Sequence, residues 1–221
     1  MDLSRYLEHT LLRADACVSD VENLCNEAKK YGFFSVCVNP FWVKDCKKFL
    51  KNSGVKICTV VGFPLGANKT EVKTLEAGIA VGDGADELDM VINIGALKSG
   101  DMKTLHNDIR SVVKHAGKKP VKVIMEACSL TKKEKITVVK LAVKAGASFI
   151  KTSTGFGNGG ATRPDIRLIR KTAGGKIRIK AAGGIRNYVE ALDLISAGAD
   201  RIGSSAGADI MRKIRKNGRV C

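Results

Sequence analysis

The chain has 221 residues, 44% of them apolar, enough for one sizeable core and in keeping with a single (β/α) barrel domain. Its 38 lysines and arginines against 22 acids give a formal charge of +16, so anions are the expected partners, while 5% aromatic residues give little support to base stacking. No apolar run reaches membrane-span length, the glycines are not periodic, and the seven cysteines form no C-x-x-C pair. Thiols scattered without an export signal point to a reducing, cytoplasmic setting, with Cys221 expected to be exposed.

In chain order, short apolar runs predict eight strands, at 6–11, 34–39, 56–61, 87–91, 122–126, 149–152, 177–181 and 201–203. Between them the pattern changes to a helical period. Val18, Val21, Leu24, Cys25 and Ala28 share one face of the first helix, and Val72, Leu75 and Ile79 share one face of a later one. Leu105, Ile109, Val112, Val113 and Ala116 repeat the pattern, as do Ile136, Val139 and Val143, then Val189, Leu192 and Ile195. Helix starts are read at Ser19 with Glu22, Asn68 with Glu71, Thr131 with Glu134, and Asn187 with Glu190, each a capping residue with an acid three positions on.

A weak repeat runs through the chain: helix, small-residue turn, buried strand. "AVGDGADELDMV", "AVKAGASFIKTS" and "LISAGADRIGSS" are three copies of it. Eight such units without a second domain predict a closed α/β barrel, the (β/α)8 TIM barrel, over residues 1–221. An open dinucleotide-binding sheet would call for an early G-x-G-x-x-G after the first strand; "GFGNGG" comes late and has another spacing.

Barrel active sites lie at the C-terminal ends of the strands. Lysines there are unusual, because burying an ammonium group is costly. Lys151 and Lys180 each end an apolar run and each precede glycines. An amine attacks a carbonyl only when neutral, and a second cation nearby, or partial burial, favours the neutral form. The pair therefore reads as one Schiff-base nucleophile and one electrostatic tuner. The alternative is two lysines neutralised by carboxylates such as Asp89 or Glu126. Lys122 fits a side chain reaching out from a strand start.

Three glycine segments precede helices: 157–162, 183–184 and 203–205. Backbone N–H groups at such positions can hold a phosphate, and the last two follow the seventh and eighth strands, a frequent phosphate position in barrels. Tight turns are the competing explanation. His9, His106 and His115 lack partners at metal-ligand spacing, and His9 reads as structural. The lysine-rich helical stretches read as solvated faces rather than a specific nucleic-acid patch, since no known nucleic-acid-binding signature accompanies them.

"HTLL" at 9–12, "VVGFPLG" at 60–66, "GADELDMVINIGALKSGD" at 84–101, "FIKTSTGFGNGGAT" at 149–162, "KAAGGIR" at 180–186 and "RIGSS" at 201–205 resemble the class I, Schiff-base deoxyribose-phosphate aldolases in order and spacing. That resemblance implies reversible cleavage of 2-deoxy-D-ribose 5-phosphate to D-glyceraldehyde 3-phosphate and acetaldehyde. It implies Lys151 as the Schiff-base lysine, Lys180 as its partner and Asp89 in the proton relay. Lys122, Cys37 and Thr152 fall near the substrate, and Gly159, Gly160, Gly183, Gly184, Ser204 and Ser205 toward its phosphate. No cofactor is implied. The expected partners are small phosphorylated sugars, aldehydes and further copies of the chain, a homodimer or higher homo-oligomer, with no membrane. Two positions depart from the common family pattern: Glu8 where many members have aspartate, and Ala127 where many have threonine.

Overall fold

The computed structural model describes residues 2–216; Cys221 lies outside them. Eight parallel strands close on themselves in sequence order, each hydrogen-bonded to the next and the eighth to the first. They are β1 (Leu7–Leu11), β2 (Ser35–Val38), β3 (Lys56–Val61), β4 (Glu87–Val91), β5 (Val121–Ile124), β6 (Phe149–Lys151), β7 (Arg178–Ala182) and β8 (Arg201–Ser204). The connecting helices are α1 (Val18–Tyr31), α2 (Val43–Phe49), α3 (Thr70–Asp83), a short α4 (Ile94–Lys98), α5 (Met102–His115), α6 (Lys132–Lys144), α7 (Arg163–Ala173), α8 (Tyr188–Ser196) and α9 (Gly207–Lys216). The expected (β/α)8 barrel is present, and all eight strands fall where the apolar runs placed them, to within two residues at either end.

The sequence repeat has a physical basis. After α3, α6 and α8 a glycine turns into the left-handed region, at Gly84 (φ +112°), Gly146 (φ +82°) and Gly198 (φ +115°). The alanine that follows donates its N–H back five positions: Ala85 to Ala80, Ala147 to Ala142 and Ala199 to Leu194, each at 3.0 Å. In two copies the next residue is an aspartate that hooks the preceding strand. Asp86 accepts from the Ile57 N–H at 3.0 Å, and Asp200 from the Ile179 N–H at 2.7 Å. The repeat thus ends a helix and sets the register of the next strand at once.

Two caps differ from expectation. Helix α1 starts at Cys17, whose N–H donates to Asp20 at 2.9 Å, and α3 starts at Lys69. Thr131 and Glu134 form the expected reciprocal cap of α6, and Asn187 caps α8.

The larger surprise is the orientation of α3. Its apolar stripe faces outward, with Val72, Leu75 and Ile79 exposed, and its inward face carries Lys73, Ala77 and Ala80. Lys73 is wholly buried. It donates to Asp108 on α5 at 2.6 Å and to the Val91 carbonyl at 3.0 Å. This ion pair and the two alanines let α3 lie close to the barrel and to α5, and they outweigh the apolar periodicity. Glu76, on the same helix, accepts from the Gly62 N–H at 2.7 Å and fixes the loop after β3.

Candidate active site

The barrel interior near the strand ends is filled by charge. Glu8, Asp89, Lys122, Lys151 and Lys180 are each 2% exposed or less. Strand register brings them together: Asp89 lies opposite Lys122, and Lys151 opposite Lys180. Asp89 is the hub. Its Oδ2 accepts from Lys151 Nζ at 2.9 Å and Lys180 Nζ at 2.7 Å, and its Oδ1 from Lys122 Nζ at 2.8 Å and the Cys58 thiol at 3.1 Å.

The three lysines differ in how firmly carboxylates hold them. Lys122 meets Asp89, Glu87 at 2.7 Å and Glu8 at 3.4 Å. Lys180 meets Asp89 and forms a short contact with Glu8. Lys151 meets Asp89 alone among the described residues. Burial works against the charge on Asp89, Glu8, Lys122 and Lys180, but the opposite charges prevail. Asp89 is held well below the ordinary carboxylate range by Lys122, Lys151 and Lys180, and Glu8 is lowered by Lys122 and Lys180. Lys180 is raised by Asp89 and Glu8, and Lys122 is raised well above the ordinary amine value by Asp89, Cys58, Glu8 and Glu87. Both therefore stay ammonium groups. Burial also pushes the Cys58 thiol well up, so it remains a donor to Asp89.

Lys151 alone of the three lines a cavity of about 380 Å³ at the C-terminal mouth. Gly183, Gly184, Ser204 and Ser205 line it too, with Arg13 and Arg186. Phe63 stands 6.0 Å from Lys151 Nζ and meets Phe156 edge to face at 5.3 Å. The amine thus has an apolar wall on one side and basic, small-residue loops on another.

Other residues singled out in the sequence lie off the cavity. Adjacent strand residues point to opposite faces, and Thr152 turns away from Lys151 to tie β6 to β7. Its hydroxyl donates to the Ala182 carbonyl at 3.0 Å and accepts from the Ala182 N–H at 3.1 Å. Cys37 is buried in a small cluster with Leu12, Cys58, Val60 and Phe63. Gly160 presses on the Gly183 backbone, where a Cβ would come within 2.2 Å of the Gly183 oxygen, and Gly159 lies against Cys128. Lys122 sits in the ion-pair cluster, away from the cavity lining. Ala127 is fully buried, its N–H donating to the Thr152 carbonyl at 2.8 Å.

The sequence reading missed Arg13 and Arg186, and it offered Glu126 only as an alternative carboxylate partner for the lysines. Arg186 lies two residues past the Gly183–Gly184 pair, a usable signal for an anion site. Glu126 stands just past β5 with φ +51°. Its Oε2 accepts from the Thr154 N–H at 3.3 Å and, in a short contact, from the Thr154 hydroxyl, which itself accepts from the Phe156 N–H at 3.0 Å. Among the described residues Glu126 pairs with no lysine; it anchors the loop that follows Lys151. His9 turns outward to Glu27 on α1 at 2.8 Å, a structural contact. Among the described residues, Cys37, Cys58 and Asp89 bring potential metal-ligand atoms within 4.8 Å of one another. A cation there would compete with three lysines for Asp89.

The profile of the DeoC/LacD family aldolases matches residues 4–214. The chain belongs to this family. It is 56% identical over 212 residues to deoxyribose-phosphate aldolase of Streptococcus pneumoniae serotype 19F (strain G54), a match spanning 96% of each chain. Among solved structures, an aldolase called QR15 superposes with a TM-score of 0.95 at 39% identity, over 99% of this chain and 98% of the other. The tetrameric deoxyribose phosphate aldolase of Aeropyrum pernix superposes with a TM-score of 0.90 at 33% identity, over 97% and 92%. The protein is thus an aldolase, a carbon–carbon lyase on a TIM barrel. No helix among the described residues is long and apolar enough to cross a membrane.

Proposed function

We propose that this aldolase cleaves 2-deoxy-D-ribose 5-phosphate, reversibly, through a Schiff base on Lys151. The observation that carries this reading is that Lys151, of three lysines gathered round Asp89, is the one on the cavity and the one with a single carboxylate partner. Neutral Lys151 attacks C1 of the open-chain sugar, and loss of water gives an iminium ion. That cation is an electron sink next to the bond to be broken. Asp89, acting through a water and with Lys180 as the adjoining acid, takes the proton of the C3 hydroxyl. The C2–C3 pair of electrons moves into the iminium, glyceraldehyde 3-phosphate leaves, and an enamine remains. Protonation at C2 and hydrolysis then release acetaldehyde and free Lys151.

In this reading Lys122 holds Asp89 from below, and Cys58 keeps Oδ1 occupied so that Oδ2 faces the two working lysines. Cys37 fills the floor beside them, and Thr152, Gly159 and Gly160 fix the loops. Gly183, Gly184, Ser204, Ser205 and Arg186 receive the phosphate end. Self-association, as in the tetrameric Aeropyrum pernix enzyme, is part of the same reading, as is a cytoplasmic setting.

The test is the rate of acetaldehyde release from 2-deoxyribose 5-phosphate and from 2-deoxyribose. A kcat/KM higher by about 10²-fold or more for the phosphorylated sugar is expected, since charge-assisted contacts contribute about 1.5–3 kcal/mol each. Equal rates would remove the phosphate assignment, and no cleavage of either sugar would remove the substrate.

A further inference from the structure

Two thiols meet in the barrel interior beside Asp89. Cys37 on β2 and Cys58 on β3 are register partners on neighbouring parallel strands, and both are fully buried. Their sulfurs lie within 4.8 Å of each other. Neighbouring strands run about 4.7–4.9 Å apart, inside the roughly 4.4–6.8 Å between Cα atoms that a disulfide bridges. Side chains of a registered pair also leave the sheet on the same face. A bond between these sulfurs therefore needs side-chain rotation and no change of register.

The pair is tied to the working groups. The Cys58 thiol donates to Asp89 Oδ1 at 3.1 Å, and Lys122 Nζ donates to its sulfur at 3.2 Å. Cys37 sits in the cluster of Leu12, Val60 and Phe63 and donates to no carboxylate among the described residues, so its sulfur is the freer to attack. Leu12 also lines the Lys151 cavity, which puts the sulfurs one side chain away from a small solute there. The remaining described thiols lack this arrangement. Cys17 and Cys128 are exposed, and Cys25 and Cys46 are buried on α1 and α2, outside the strands.

We propose that Cys37 and Cys58 form a reversible disulfide when the protein meets hydrogen peroxide, and that this bond switches the active site off. The Cys37 sulfur attacks one peroxide oxygen, the O–O bond breaks, and the departing hydroxide takes the thiol proton to become water. The Cys58 sulfur then attacks the resulting sulfenic sulfur, and its own proton leaves with the displaced hydroxide as a second water. Each thiol gives up one electron and the peroxide takes both. The S–S bond is about 2.0 Å long, so the Cys58 sulfur has to leave Asp89. Oδ1 then keeps Lys122 and loses its thiol donor, and the carboxylate is free to turn away from Lys151 and Lys180. A thiol reductant reverses the bond by exchange.

The effect on turnover rests on the part given to Asp89 above; the bond itself does not, and the experiment reads the two apart. The wild-type chain is treated with hydrogen peroxide, alkylated, digested with trypsin and mapped. The tryptic peptides 31–44 and 57–69 carry one cysteine each, and they should appear joined. Cleavage of 2-deoxyribose 5-phosphate should fall by about 10²-fold, the scale of a misplaced working group, and return with dithiothreitol. Cys58→Ala has no second sulfur. After the same treatment its Cys37 should advance to the sulfinic acid, and its rate, set against its own untreated rate, should not return with dithiothreitol. Where Cys58→Ala does not fold, a graded dithiothreitol series on the oxidised wild type takes its place, and the joined peptide should vanish as the rate recovers. Peptides left unjoined while the exposed Cys17 and Cys128 are oxidised would overturn the proposal, as would a bond from Cys37 or Cys58 to another cysteine. A joined peptide with full turnover would overturn the switch. A joined peptide in a chain that never cleaved the sugar would support the bond and count against the substrate instead.

Discussion

Lys151 and Lys180 face each other across neighbouring strands and donate to the same oxygen, Asp89 Oδ2, at 2.9 and 2.7 Å. Lys180 is also held by Glu8 and stays charged; Lys151 has no other carboxylate among the described residues and opens onto the cavity. Two lysines of like chemistry are thus separated by their surroundings into a fixed cation and a reachable amine. Replacing Lys180 with methionine keeps much of the volume and removes the acid–base group. Turnover should fall by about 10²–10⁴-fold, measured as kcat on the phosphorylated sugar with folding checked by circular dichroism. Turnover within a factor of a few of wild type would remove Lys180 from the mechanism.

Gly203 makes room for that cation. A Cβ at 203 would lie 2.9 Å from Lys180 Cε, and Lys180 cannot swing away because Glu8 and Asp89 hold its ammonium group. Gly203→Ala should cost about 1–3 kcal/mol in stability through overpacking and about 10²-fold in kcat through misplacement of the ammonium group. Denaturant unfolding and steady-state kinetics read the two effects. Unchanged kcat in a destabilised variant would mean that the position of Lys180 is not critical.

Glu126 holds the loop after Lys151 at Thr154, and that loop lines the cavity through Thr154, Gly155 and Phe156. Glu126→Ala should raise KM for the phosphorylated sugar by about 10–100-fold, the loss of roughly 1.5–3 kcal/mol of charge-assisted hydrogen bonding. Glu126→Gln should recover part of it, and kcat should change less than KM. A fall in kcat with KM unchanged would point instead to a direct part in the chemistry.

The charge cluster sets a pH window for stability. Asp89 and Glu8 are lowered from ordinary values of 3.8 and 4.5, so their contribution is full above those values and is lost as pH falls through the lowered ones. Lys122 and Lys180 are raised from 10.5, so theirs is full below that value and is lost only in strong alkali. Asp89→Asn leaves three lysines with one carboxylate fewer and should cost about 3 kcal/mol near neutral pH. The gap from wild type should narrow in acid, as Asp89 itself becomes protonated. A gap that stays constant from neutral pH down to the acid transition would mean that Asp89 does not stabilise the fold through its charge.

The barrel was legible because parallel strands are buried on both faces and leave short apolar runs that periodicity detects. The lysine pair was legible for the opposite reason: a lysine ending such a run breaks the pattern. Strand position already offered Asp89 as a carboxylate partner for the lysines, but "ELDMV" by itself does not say that one aspartate gathers three ammonium groups, and its proton-relay role came only with the family resemblance. Lys73 and the outward stripe of α3 were not legible. Periodicity shows that Val72, Leu75 and Ile79 share a face, but not which way it turns, and the partner that draws Lys73 inward, Asp108, lies 35 residues away on another helix. The partner of Glu126 was hidden likewise: the sequence suggested a lysine, whereas its left-handed backbone and its reach to Thr154 exist only once β5 and β6 are side by side.

Borohydride reduction in the presence of acetaldehyde tests the central claim most directly. The hydride converts a lysine iminium into a stable secondary amine, so the modified lysine keeps an ethyl group that peptide mapping locates. The adduct is expected on Lys151, with Lys122 and Lys180 unmodified. An ethyl group mainly on Lys180 or on surface lysines, or no adduct in a catalytically active preparation, would contradict the assignment of Lys151 as the Schiff-base residue.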